Sequence, residues 1–560
     1  MSLARTHSIA LVGVEGHPVE IEADIENGLV GLLLVGLPDT ALREARDRIR
    51  SAIVNSREKW PHRRITVGLS PASLPKRGSS FDLGIAVAIL SAAGDVPPGR
   101  TGGLMFLGEL GLDGRLRPVR GILPAVAAAA AAGFRAVAVP AENAAEAFLV
   151  PGMRVVAAPS LGALLAWLRD EVPLPAAAGC DGAAGTAGLQ VFEPGTPNPP
   201  SPGPHSPGPS LPGPHSPGPS LPGPHSPGPR PLDAPGPGPG PGHDLADVVG
   251  QPTARRAAEI CAAGGHHLLL LGPPGVGKTM LAERLPTVLP RLEPDAALEV
   301  TAIHSIAGTL PAGSPLLTEA PFCAPHHTST RAAIVGGGTG TLRPGAASLA
   351  HHGVLFLDEA PEFSRDVLDA LRQPLESGEV VLARSGLTAR FPARFTLVLA
   401  ANPCPCASAA TSRAACTCTP LVRRRYLARL SGPLLDRVDV KAEFLPVGKA
   451  ELLSDRKFTE PSAVVAERVA LARQRMAFRL RGTPWRVNAD IPGRELRRRY
   501  APAPGALAPL ERAMDLGEIS ARGVDRVIRL SWTIADLGGV PRPTVAEISY
   551  ALGLWLGMTS

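Results

Sequence analysis

Aromatic side chains are scarce in this chain. Phe, Trp and Tyr make up 4% of 560 residues, with three tyrosines in all, so a nucleic-acid surface built on stacked bases is not expected. Long apolar runs are missing too. No stretch reaches the ~18 apolar residues of a membrane-crossing helix, and the alanine-rich run from Ala125 to Ala132 ends at Gly133. The first ten residues, Met1 to Ala10, hold no continuous apolar core for export. Cysteines number seven, four of them clustered, which does not describe a disulfide framework. The net charge of +6 is mild; it permits nucleic acid as a partner without requiring it. These absences describe a cytoplasmic chain with no membrane contact. Its length supplies about three or four domains.

Proline and glycine, in contrast, are concentrated. From about Pro173 to Gly242 the chain is Pro, Gly, Ser and Ala with almost no large apolar residue, and the decapeptide starting at Ser201 recurs from Leu211 and again from Leu221. Such a segment cannot build a core, and its prolines favour extended, solvated backbone. Residues 173–243 therefore read as a disordered, semi-stiff linker or, alternatively, as a proline-rich ligand for another protein. Residues 1–172 read as an α/β domain. Strands are expected at Leu32–Gly36, Arg64–Gly68 and Ala136–Pro140, and helices at Thr40–Asn55 and Phe81–Ala93. After the linker, residues 244–447 alternate strand and helix. Residues 448–560 turn helical and basic, with helices expected over Ala463–Leu480, Glu511–Gly517, Ser520–Leu537 and Thr544–Gly557.

The chemistry lies in the third segment. Gly272, Pro273, Pro274, Gly275, Val276, Gly277, Lys278 and Thr279 follow one another in the pattern of a phosphate-binding loop. The apolar run His267–Leu271 precedes them as a buried strand, and Met280–Leu285 follows as a helix. Glycines let backbone N–H groups close around phosphates, and the helix N-terminus adds its positive dipole end. Lys278 would reach the β- and γ-phosphates of ATP, and Thr279 would ligate Mg²⁺. A second apolar run, Gly353–Leu357, ends in Asp358 and Glu359. Asp358 would hold the Mg²⁺ hydration shell, and Glu359 would polarise the attacking water. A third, Phe395–Ala401, ends in Asn402, placed to orient that water.

Several further runs carry a family resemblance: Gly36–Thr40 with Glu44–Arg48, Asp247–Gln251, Pro325–Thr328, Ser348–Glu359, Leu430–Arg437, Ser520–Arg522 and Thr533–Asp536. With them the chain resembles the YifB/ComM family of magnesium-chelatase-like AAA+ proteins over nearly everything but the linker. The resemblance implies an N-terminal Lon-protease-like α+β domain, an AAA+ α/β core and a C-terminal helical lid. It also implies a hexameric ring. Its members in natural transformation are DNA branch-migration helicases, acting on single-stranded or branched DNA. The alternative is a chelatase-type motor that remodels a protein partner in metal insertion. Arg437 then resembles an arginine finger, which enters the neighbouring subunit's site, and Arg522 a second sensor that reaches back to its own nucleotide. Ser80 falls where a Lon-type protease keeps its nucleophile, but Leu123 stands where the lysine base belongs, so a fold without proteolysis is expected. Lys76, Arg77, Arg115, Arg117 and Arg120 form either a basic face or scattered solvated charges.

Two features remain. Cys404, Cys406, Cys416 and Cys418 form two C-x-C pairs. They suggest either a structural tetrahedral Zn²⁺ site or a loop of reduced, inert thiols; Cys180, Cys261 and Cys323 show no partner spacing. Residues 379–390 read as a hairpin with its turn at Ser385-Gly386, and Arg384 on it is the candidate DNA contact. A second candidate loop, Pro325–Gly345, carries Arg331, Gly336–Gly338 and Arg343. The adjacent pairs His266-His267, His326-His327 and His351-His352 read as packing or loop residues, because neighbouring side chains on a strand point to opposite faces.

Overall fold

The computed structural model describes residues 2–36, 39–74, 76, 78–97, 99–171, 189–194, 242–311, 316–338, 342–384, 387–406, 416, 418–446 and 459–557. They form two compact units, one mainly before the proline-rich stretch and one mainly after it. Most of that stretch, with the linker reading placed on it, lies outside the described residues. So do Arg77, Cys180 and the Ser385-Gly386 turn.

The first unit is built on an eight-stranded mixed sheet. Its spatial order is Gln190–Phe192, Arg154–Ala158, Ala136–Pro140, Leu104–Phe106, Ser2–Val12, Glu15–Glu26, Arg64–Ser70, Gly31–Val35. Alternation sets the inner face: Val19, Ile21, Ala23 and Ile25 are buried along one strand, and Ile65, Val67 and Leu69 oppose them on the next. Each buried Val, Ile or Leu among them contributes roughly 1.5–3 kcal/mol. Helices Asp39–Asn55 and Asp82–Ala93 confirm the expected ones; the second is apolar almost all round and almost wholly buried. One strand was not expected. Gln190–Phe192 falls in the stretch read as linker, yet pairs antiparallel with Arg154–Ala158. Three residues, Gln-Val-Phe between small and polar neighbours, give too short a period for a sequence pattern to show. Lys76 also departs from the basic face: it is 1% exposed, and its Nζ donates to the carbonyl oxygens of Leu74 (3.2 Å) and Pro71. Leu123 is buried, with its amide donating to Glu146 Oε1 at 2.8 Å.

The second unit holds a five-stranded parallel sheet in the order Phe322–Cys323, Val354–Leu357, Thr396–Ala401, Leu268–Leu271, Val440–Glu443. Its inner strands are continuous apolar runs because both faces are covered, as parallel sheets require. The hairpin forms as expected, Glu379–Arg384 against Leu387–Pro392, with Arg384 opposite Leu387. Beyond the sheet come helices Ser462–Arg479, Gly493–Arg498, Ala508–Asp515, Ala521–Gly538 and Val545–Leu556. They do not keep a separate core. Val469, Met476 and Val527 join Leu268, Leu270, Val398 and Ala400 in one cluster. Polar ties reinforce it: His266 Nε2 lies 2.7 Å from Thr533 Oγ1, and Thr287 Oγ1 lies 2.6 Å from Ser462 Oγ. Among the described residues no helix is long and apolar enough to cross a membrane.

Candidate nucleotide site

The sheet register brings three strand ends together. Leu271 pairs with Ala401, and Leu357 with Leu399. The loop from Gly272, the acids Asp358 and Glu359, and Asn402 therefore leave the sheet on one edge, outside the carboxyl ends of the strands, where open α/β sheets bind ligands. A cleft of about 360 Å³ opens there, and its lining includes Gly275, Lys278, Thr279, Asp358, Glu359 and Asn402. The loop needs its glycines. A Cβ on Gly272 would stand 2.6 Å from Phe444 Cβ and 2.9 Å from its carbonyl oxygen, and Gly277 has φ +97°.

Lys278 opens helix Lys278–Val288 and is 8% exposed. Its Nζ donates to the carbonyl oxygens of Gly272 (2.7 Å) and Pro273 (2.8 Å) and to Asn402 Oδ1 (3.0 Å). Burial lowers its pKa, and Asp358 and Glu359 pull it back. A buried ammonium held by neutral oxygens within a cradle of backbone N–H groups suits an incoming polyphosphate. Thr279 Oγ1 donates to Asp358 Oδ2 at 2.7 Å, so the two proposed Mg²⁺ ligands already converge. Glu359 follows with φ +50°, a left-handed conformation that is uncommon for glutamate and concentrates at functional sites. Its Oε2 lies 3.3 Å from His327 Nδ1. His327 lies in a loop, one of the two expected readings; no local pattern shows that the loop after Phe322–Cys323 returns to Glu359.

Family models match on both sides of the proline-rich stretch. The model described as magnesium chelatase, subunit ChlI covers residues 244–452. Subunit ChlI of Mg-chelatase matches 21–143, and the ChlI C-terminal model 459–554. An uncharacterised protein of Mycobacterium tuberculosis is 48% identical over 554 residues, 99% of this chain and 98% of its own. The competence protein ComM of Haemophilus influenzae is 38% identical over 557 residues, covering 99% and 97%. The uncharacterised protein YifB of Escherichia coli is 38% identical over 538 residues, covering 96% and 94%. The chain belongs to the YifB/ComM family of magnesium-chelatase-like proteins. It is thus a member of an AAA+ ATPase family.

The arginines of this YifB/ComM chain sit elsewhere. Neither Arg437 nor Arg522 is among the residues lining the cleft. Arg437 pairs with Glu376 of its own chain and donates to the Pro433 carbonyl. Burial lowers its pKa, and Arg372, Arg526 and Arg522 lower it further. Arg522 is exposed in the first turn of helix Ala521–Gly538. Near its N-terminus, Arg526 ion-pairs Asp439 and donates to the Arg437 carbonyl at 2.9 Å. Asp439 is buried, yet Arg526 and His266 hold its pKa below the usual carboxylate range.

The four clustered thiols meet. Cys404 Sγ lies 3.1 Å from Cys406 Sγ and 3.4 Å from Cys416 Sγ; Cys406 and Cys416 are 3.5 Å apart, and Cys418 lies within 4.8 Å of the others. Glu299 with His351 and His352 makes a second cluster, which corrects the opposite-faces argument. This pair sits in a turn, not a strand, and His352 has φ +57°, so both Nε2 atoms reach Glu299 Oε2, at 3.1 and 3.4 Å. It is a poor metal site nonetheless. His351 Nδ1 accepts the Arg394 amide at 3.0 Å, so the neutral ring carries its proton on Nε2 and points it at Glu299. Those contacts pull the Glu299 pKa down to about 2.

Arg384 is exposed on the hairpin and donates to the Gly338 carbonyl. The two candidate DNA loops are therefore one assembly. Arg331 and Arg343 are exposed on the second of them, while Arg390 is paired to Glu379 at 2.7 Å.

Proposed function

We propose that this protein is a Mg²⁺-dependent, ring-forming ATPase that moves single-stranded or branched DNA, a branch-migration helicase. The observation that carries the ATPase half is the convergence of Lys278, Thr279, Asp358, Glu359 and Asn402 on one cleft. Lys278 binds and orients the β- and γ-phosphates, Thr279 and Asp358 hold Mg²⁺, and Asn402 and Glu359 position the attacking water, with Glu359 taking its proton. Bound Mg²⁺ supplies charge neutralisation of the phosphates. Arg437 serves the cleft of the next subunit in a hexamer, and Arg522 reaches back as second sensor to its own nucleotide. Zinc on Cys404, Cys406, Cys416 and Cys418 is a structural cofactor.

The DNA half rests on whole-length similarity to a competence protein. Similarity to the magnesium-chelatase 38 kDa subunit of Acidiphilium rubrum, by contrast, spans 66 residues, 12% of this chain. The joined hairpin and glycine loop offer exposed arginines, and the hairpin's one aromatic among the described residues, Phe391, is buried, so they neutralise phosphates and do not stack bases. Arg384→Ala should weaken DNA binding evenly across sequences and lower the salt slope of the affinity by about one unit. Fluorescence anisotropy over a salt series checks this. An unchanged affinity and slope would remove the hairpin from the DNA interface and favour the chelatase-type motor.

The first unit supports a Lon-protease-like fold that has lost proteolysis, since Leu123 cannot accept a proton from Ser80. Casein incubated with the protein and ATP should stay intact; cleavage abolished by Ser80→Ala would overturn this.

A further inference from the structure

The thiol cluster has a position that its spacing alone does not reveal. Cys404 is two residues past Asn402, whose side-chain oxygen holds Lys278 at 3.0 Å. On the other side, Cys418 is followed at once by Thr419, the N-cap of helix Pro420–Leu427. That helix delivers Arg429, whose Nη1 donates to Glu362 Oε2 (2.8 Å) and to the Pro361 carbonyl (3.4 Å). The Glu362 amide in turn donates to the Glu359 carbonyl at 2.7 Å. The four sulfurs thus fasten together two segments, one ending on the phosphate-binding lysine and the other on the turn that carries Glu359.

The sulfur geometry suits a metal. Zinc bound to four thiolates at about 2.3 Å places the sulfurs roughly 3.8 Å apart, a few tenths beyond the 3.1 to 3.5 Å seen here. A disulfide needs about 2.05 Å, far shorter than these separations. Cys404 is buried while Cys406 is exposed, so the site has both a wall and a way in.

We propose that one zinc ion on Cys404, Cys406, Cys416 and Cys418 is a redox-sensitive clip that holds the catalytic cleft in its working shape. The proposal rests on the ATPase reading. With zinc bound, Asn402 and the Glu359 turn keep their places. Hydrogen peroxide is the oxidant. Two thiolates, Cys404 and Cys416, give up two electrons and form one S–S bond. The peroxide O–O bond breaks to give two hydroxides, and Zn²⁺, left with two thiolates, passes to solvent. Asn402 then loses its anchor and turnover falls, while the phosphate loop, where the Gly272 and Pro273 carbonyls still hold Lys278, keeps binding nucleotide.

The test uses the full chain purified without added metal. Elemental analysis should find about one zinc per chain. Under peroxide, zinc release followed with a chromophoric chelator should run in step with a fall in ATP turnover of about tenfold or more. Affinity for a fluorescent ATP analogue should change little. Thiol reductant plus zinc should restore turnover; reductant plus chelator should not. Cys406→Ser should lose zinc and peroxide sensitivity together, and because the peroxide arm uses the wild-type chain, a variant that fails to fold does not rescue the idea. Zinc-free protein that is reduced, folded and active would overturn the site. Zinc released with turnover unchanged would overturn the coupling. An untreated, zinc-loaded chain that hydrolyses no ATP would overturn the ATPase reading instead, and the switch with it.

Discussion

Glu359→Gln should bind ATP as well as the wild type and still assemble, yet turn over at least about a hundredfold more slowly, the scale of losing a positioned general base. The structure supplies the reason for so selective a loss. Thr279 and Asp358 bond each other at 2.7 Å and Lys278 is fixed by three oxygens, so the binding half of the cleft does not depend on Glu359. Its side chain is 51% exposed on the cleft side of a left-handed turn, free to meet a water. The amide keeps the size and removes the proton acceptor. Equilibrium binding of a fluorescent ATP analogue, beside steady-state phosphate release, separates the two steps. Near-normal turnover by Glu359→Gln would take the residue out of the water-activating role.

Arg437→Ala should keep nucleotide affinity and lose roughly a thousandfold in turnover, the scale of an arginine finger. Its loss should also be repairable by a protein that is itself dead. Arg437 does not line the cleft of its own chain and is paired there with Glu376, which agrees with the proposed role in a neighbour's site. A Lys278→Ala chain cannot hold phosphate but still presents Arg437. In a randomly mixed ring at equal ratio, half the subunits have an intact cleft and half of those meet an intact arginine, so about a quarter of the interfaces regain activity. No recovery at any ratio, with mixed rings confirmed by mass, would place Arg437 elsewhere.

What could be read from the sequence was whatever depends on neighbours along the chain. The phosphate loop, the strand ending in Asp358 and Glu359, and the strand ending in Asn402 are each written in fewer than ten consecutive residues, and the parallel sheet brings them together as expected. The hairpin behind Arg384 was legible for the same reason. What escaped depends on docking at long range. Helix Ala521–Gly538 is fastened through Arg526 to Asp439, more than eighty residues away. His327 meets Glu359 through the return of a loop. Lys76 is buried by carbonyls of its own loop, although lysine is ordinarily a surface residue. The C-terminal helices share the nucleotide unit's core because helix Ser462–Arg479 presents Val465, Val469, Ala472 and Met476 to it, a stripe whose partner no period can name. That the thiols follow Asn402 was legible, but the tie from their far side through Arg429 to Glu362 was not.

The central claim is that DNA drives this ATP site. The direct measurement is steady-state ATP hydrolysis by the full chain with Mg²⁺, alone, with single-stranded DNA and with a four-way junction. The account predicts that DNA raises turnover, that the rise shrinks with added salt as phosphate contacts are screened, and that Arg384→Ala keeps the basal rate while losing the rise. A basal rate that no DNA changes at low salt, in protein with intact rings and bound zinc, would contradict it.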